Sequence, residues 1–132
     1  MPNTYTNLLF HIVYGTKYRK PLIEPSWQDD LYGYIGGIIR DAKGTLLTAG
    51  GMPNHVHLLA KLPPTIAVST MLRLIKTNSS KWASERDDVR YFEWQEGYAA
   101  FSVSESLVHR VREYIRHQIE HHRTRPFKEE YL

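Results

Sequence analysis

Residues 5–14, Tyr-Thr-Asn-Leu-Leu-Phe-His-Ile-Val-Tyr, are rich in aromatic and β-branched types and predict a strand. Pro21 and Pro25 interrupt that pattern. Beyond them Leu31, Tyr34, Ile35, Ile38 and Ile39 recur at helical spacing, with Ser26 placed to cap a helix that opens at Trp27 and yields near Lys43-Gly44. A second strand is predicted over Thr45–Ala49 and a third over His55–Leu62, with Gly50-Gly51-Met52-Pro53-Asn54 as the turn of an antiparallel hairpin. Pro63-Pro64 ends the hairpin. Met71, Leu72, Ile75 and Trp82 then give a second helix an apolar side from about Val68 to Arg86. Residues 87–96 read as a loop and Gly97–Val103 as a fourth strand. Ser104 or Ser106 caps a third helix reaching about His122.

The order is therefore β-α-β-β-α-β-α, in one domain over residues 1–132, without internal repeat or linker. Two split β-α-β halves make an α+β, ferredoxin-like antiparallel sheet with helices on one face, and the third helix is an addition that packs elsewhere.

Composition narrows the functional classes. No run of 18 apolar residues suggests a membrane span, and Met-Pro-Asn-Thr-Tyr does not open a secretory signal. The absence of cysteine removes disulfides and thiolate metal sites together. A cytoplasmic placement is expected. The net charge of +3 suits an anionic partner. Its distribution says more: Lys17, Arg19 and Lys20 cluster after the first strand, Arg73, Lys76 and Lys81 share a helix, and Arg110, Arg112, Arg116, Arg123 and Arg125 crowd the last stretch. Tyr18, Trp82 and Tyr114 lie among these cations, an arrangement that suits single-stranded nucleic acid.

Two local patterns carry candidate chemistry. In Asn54-His55-Val56-His57-Leu58-Leu59 the alternation of a strand puts His55 and His57 on one face and Val56 and Leu58 on the other. Two adjacent imidazoles on a rigid strand can hold a divalent ion with positions open to substrate. The same spacing also serves solvated or hydrogen-bonded histidines, and a metal centre needs a third ligand. On the third helix, Leu107, Val108, Val111, Ile115 and Ile119 form an apolar stripe. Tyr114 lies at its edge, Gln118 falls within it, and His121 continues the row. Such a row fits a helix laid on a metal site; it equally fits an amphipathic core tyrosine beside an interfacial glutamine.

Taken together, Met52–Leu59, Leu74–Trp82, Trp94–Ser104 and Val111–Gln118 resemble the HUH single-tyrosine transposases. These are the TnpA-type enzymes of small insertion sequences, with the REP-associated tyrosine transposases as relatives. The likeness spans nearly the whole chain; Ala99 stands where close relatives usually carry a second glycine. The resemblance implies that His55, His57 and Gln118 bind the metal, Mg²⁺ or Mn²⁺, and that Tyr114 is the nucleophile. Arg73, Lys76, Ser80 and Lys81 inherit a DNA-binding role from the corresponding helix, a solvated helix face being the alternative. The implied reaction cuts and rejoins single-stranded DNA at hairpin-marked ends through a 5′-phosphotyrosine, with no nucleotide cofactor. The implied assembly is a homodimer, with active sites shared between subunits in several members. Rival readings are a domesticated or inactive relative that only binds DNA hairpins, and a metal-dependent phosphoesterase that uses water and tolerates Tyr114→Phe.

Overall fold

The computed structural model describes residues 4–86 and 91–118. In chain order these form β1 (Leu8–Gly15), α1 (Pro25–Asp41), β2 (Thr45–Met52), β3 (His55–Leu62), α2 (Val68–Ser84), β4 (Ala99–Ser102) and α3 (Val108–Arg116). The strands make one sheet in the order β2-β3-β1-β4, and each neighbouring pair is antiparallel. This is the expected ferredoxin-like arrangement.

The pleat sorts the side chains into two layers. Ile12 and Tyr14 of β1 and Val56, Leu58 and Ala60 of β3 pack with Leu31, Ile35 and Ile39 of α1 and Met71, Leu72 and Ile75 of α2 in the main core. Burying each such Ile, Leu or Met is worth about 1.5–3 kcal/mol, so this face dominates stability. The odd-numbered residues of the same strands, His11, Val13, His55, His57 and Leu59, point the other way. There α3 packs, mainly on β2 and also on β3. The third helix thus covers the sheet face that α1 and α2 leave open.

Several boundaries differ from the sequence expectation, each for a tertiary reason. β1 starts at Leu8 rather than Tyr5, because Leu8 pairs with Leu62, the last residue of β3, and Tyr5 stands 90% exposed. Helix α1 begins at Pro25, whose fixed φ suits the first helical position; Ser26 lies inside the helix and Glu24 precedes it without a side-chain cap bond. β2 continues through Met52, so the turn shrinks to Pro53-Asn54. α2 stops at Ser84, and β4 is cut to Ala99–Ser102, the residues that reach a partner in β1. Residues 91–96, read as loop, carry buried Phe92 and Trp94, and Trp94 bridges to Thr16. A short 3-10 turn at Glu105–Leu107 precedes α3, and Ser104 makes no capping bond. The expected extension of α3 through Ile119, His121 and His122, like Arg123 and Arg125, lies outside the described residues. No helix among the described residues is long and apolar enough to cross a membrane.

Candidate active site

His55 and His57 are both fully buried on β3, on the face that α3 covers. Their ring centroids lie 5.1 Å apart, with the planes at 70°. Each ring is oriented through its Nδ1. His55 Nδ1 lies 2.8 Å from Asn54 Oδ1, and His57 Nδ1 lies 2.9 Å from Nε2 of His11. A proton on His55 Nδ1 satisfies the Asn54 Oδ1 acceptor, and in that tautomer the lone pair lies on Nε2. With the shared proton on His57 Nδ1, the same holds for His57. Orientation of the far nitrogen by an outer hydrogen bond is how ligating histidines are usually prepared.

Helix α3 supplies the remaining groups. Ile115 is fully buried against β2, and a Cβ added at Gly50 would fall on the Ile115 carbonyl. The absence of a side chain at Gly50 therefore lets the helix backbone approach the sheet. One helical residue before Ile115, the Tyr114 ring lies edge-on to both His57 (5.8 Å between centroids) and His11 (6.0 Å). Beyond the helix end, Gln118 is 2% exposed and its Oε1 lies 3.4 Å from His55 Nε2. Its amide nitrogen donates to the Tyr114 carbonyl at 3.3 Å, which turns the oxygen toward the histidine.

The structure therefore brings His55, His57, Tyr114 and Gln118 together, and does so within one chain. No group of three His, Cys, Asp or Glu side chains is arranged for a metal among the described residues. A site here would use two imidazole nitrogens and one amide oxygen. That mixed nitrogen and oxygen set leaves positions open and is compatible with Mn²⁺ or Mg²⁺.

The other candidates lie elsewhere. Arg73, Lys76 and Ser80 project from α2, across the sheet from the histidines, and line one shallow groove with Trp94–Gly97. Arg73 and Lys81 are exposed, while Ser80 bonds back to the Thr77 carbonyl. Lys76 is engaged inside the protein. Its ammonium donates to the carbonyls of Gln95, at 3.0 Å, and Gly97, and lies over the Tyr14 ring; partial burial pushes its pKa down. It clamps the 95–97 segment onto α2, which leaves Arg73 and Lys81 as the exposed cations among the four α2 residues singled out from the sequence. His11 is the residue that sequence reasoning missed. A histidine between apolar Leu9 and Val13 on one strand face was the available signal, but its proximity to His57 depends on the β1–β3 register.

Comparison with known proteins identifies the family and the fold. The family described as transposase, IS200-like, matches residues 4–118. The transposase for insertion sequence element IS200 of Salmonella typhimurium is 26% identical over 130 residues, covering 91% of this chain and 82% of its own. The ISDra2 transposase TnpA of Deinococcus radiodurans is 26% identical over 121 residues, covering 84% of each. Two solved structures share the fold. One is a transposase from Deinococcus radiodurans, with a TM-score of 0.69 and 22% identity over 89% of this chain and 95% of that one. The other is a REP-associated tyrosine transposase bound to a REP hairpin, with a TM-score of 0.64 and 16% identity over 87% of this chain and 68% of that one.

Proposed function

The chain belongs to the IS200-like transposase family, and from that membership we propose that it cuts and rejoins single-stranded DNA at hairpin-marked ends with Tyr114 as its nucleophile. The observation that carries this reading is the meeting of Tyr114 with His55, His57 and Gln118 on one sheet face. The Gln118 oxygen faces Nε2 of a buried imidazole, a position suited to a hydrogen bond or to a shared cation. A site for a phosphate-bound cation gives that contact a purpose.

His55 Nε2, His57 Nε2 and Gln118 Oε1 would hold one divalent ion, Mg²⁺ or Mn²⁺, and when bound it supplies Lewis-acid polarisation of the scissile phosphate. The protein's own groups do the rest. Asn54 and His11 hold the two imidazoles in the required tautomer. Close packing of α3 on Gly50 fixes the height of Tyr114 above the strand. The Tyr114 oxygen forms a bond to phosphorus while the bond to the 3′ oxygen breaks. The phenolic proton passes to water, and the departing 3′ oxygen takes one up. The result is a 5′-phosphotyrosine and a free 3′-hydroxyl. Because one ester replaces another, a second 3′-hydroxyl can reverse the step onto new DNA without a nucleotide cofactor.

The DNA partner is single-stranded with a hairpin, by analogy with the relative that is bound to a REP hairpin. A homodimer is the proposed assembly. Incubation with labelled hairpin DNA and Mg²⁺ or Mn²⁺ should give an adduct that survives denaturation. Tyr114→Phe should lower its yield by at least roughly a thousand-fold, as loss of a covalent nucleophile does, and His57→Ala should abolish the metal requirement along with the product. Free cleavage products in Tyr114→Phe would instead identify water as the nucleophile. Tight hairpin binding with no cleavage would identify a binding protein.

A further inference from the structure

The turn that follows β1 holds a tyrosine out in solvent at a conformational cost. Tyr18 has φ 58° and ψ 18°, and Arg19 has φ 57°. Both lie in the left-handed region, where an L side chain's Cβ crowds the following carbonyl, and neither is the glycine that such a turn favours. Two successive residues of this kind persist only when their surroundings over-determine them. Here they do. Thr16, fully buried, donates from Oγ1 to the Lys20 carbonyl at 2.5 Å, and its own carbonyl accepts from Arg19 N at 3.0 Å. Lys17 N donates to the Glu93 carbonyl at 2.9 Å, and the Lys17 ammonium pairs with the Glu93 carboxylate at 2.6 Å.

What this scaffold presents is an aromatic ring 77% exposed, with the ammonium groups of Lys17 and Lys20 at 5.6 and 5.9 Å from its centroid. The ring adds nothing to the core. It is also tied to the candidate active site, since Thr16 N donates to the carbonyl of Asn54, the residue that orients His55. Tyr18 stands three residues past Gly15, which pairs with His55, so at most about 11 Å of chain separates them.

The geometry points to Tyr18 as a stacking platform for an unpaired base of the DNA strand, with Lys20 meeting the phosphate beside that base while Lys17 stays paired with Glu93. An open π-face accepts any base, and a flanking cation serves the backbone, the combination by which single strands are held without sequence reading. This rests on the proposed DNA strand-transfer function and adds a binding position to it. A folding role would require the ring to be covered, and it is not.

Binding of a labelled single-stranded hairpin oligonucleotide, with metal withheld so that nothing is cut, tests the platform. Tyr18→Asn removes the ring and places a residue that tolerates the left-handed conformation. It should bind about ten-fold more weakly, keep the wild-type dependence on salt because no cation is lost, and melt no lower than wild type. Tyr18→Trp should restore binding. Wild-type affinity in Tyr18→Asn would overturn the platform, as would a fall in melting temperature that accounts for the lost binding. Failure of the wild type to bind single-stranded DNA at all would remove the strand-transfer reading with it. An unaffected Tyr18→Asn beside a binding wild type removes the platform alone.

Discussion

At the residue scale, the site depends on which nitrogen of each histidine is occupied. His55 and His57 are legible in the sequence because strand alternation alone puts i and i+2 on one face. Their orientation is not legible. It depends on Asn54 and on His11, a residue some forty-six positions from its partner. If His11 accepts the His57 proton, His11→Phe should weaken Mn²⁺ binding by roughly 10- to 100-fold in a direct titration, as loss of an outer-shell partner does. His11→Gln, which retains an acceptor, should recover much of it. Equal Mn²⁺ affinity in His11→Phe and wild type would remove His11 from the site. Lys76 teaches the converse lesson. A cation on a helix face invites a nucleic-acid reading, but this one satisfies the carbonyls of Gln95 and Gly97. Those carbonyls belong to a segment far along the chain, and no local pattern announces them.

At the element scale, helices were readable from their apolar spacing, whereas strand ends follow their partners. β1 and β4 are shorter than their composition suggests because pairing stops at Leu8↔Leu62 and at Phe10↔Ser102. Gly50 looked like a turn glycine and proved to be the seat of α3, a role set by packing between elements distant in sequence. Gly50→Ala should therefore cost about 1–3 kcal/mol by overpacking, and should depress adduct formation beyond what the stability loss explains. Gly33 in α1 has open space around its Cβ position, so Gly33→Ala should stabilise by up to about 1 kcal/mol. The two melting curves, compared with adduct yields, check the docking of α3. The contact between the post-β1 turn and residues 93–95 has a pH signature. Hydrogen bonds from Lys17 and then Tyr91 hold the Glu93 carboxyl below its ordinary value. A carboxyl depressed in the fold stabilises above its unfolded pKa, about 4.3, and that contribution disappears as pH falls through the folded value. The pair is exposed, so the effect is small. Melting of wild type and Glu93→Gln should differ at pH 7 and converge by about pH 3; a gap that persists in acid would mean the glutamine acts otherwise.

At the scale of the whole molecule, the sheet divides labour between its faces. One face carries the apolar core beneath α1 and α2; the other, with His11, His55 and His57, lies beneath α3 and carries buried polar side chains. The ferredoxin-like order was legible because seven elements alternate cleanly along the chain. The packing of α3 on its own chain's histidines was not, since nothing local in a C-terminal helix says which sheet it covers. The proposed function requires Tyr114 to be the atom donor to phosphorus. Mass spectrometry of the nuclease-trimmed, protease-digested DNA adduct addresses that most directly. The peptide containing Tyr114 should carry a nucleotide joined through its 5′ phosphate, and only when Mg²⁺ or Mn²⁺ was present. A nucleotide on any other residue, or cleaved DNA with Tyr114 unmodified throughout the reaction, would contradict it.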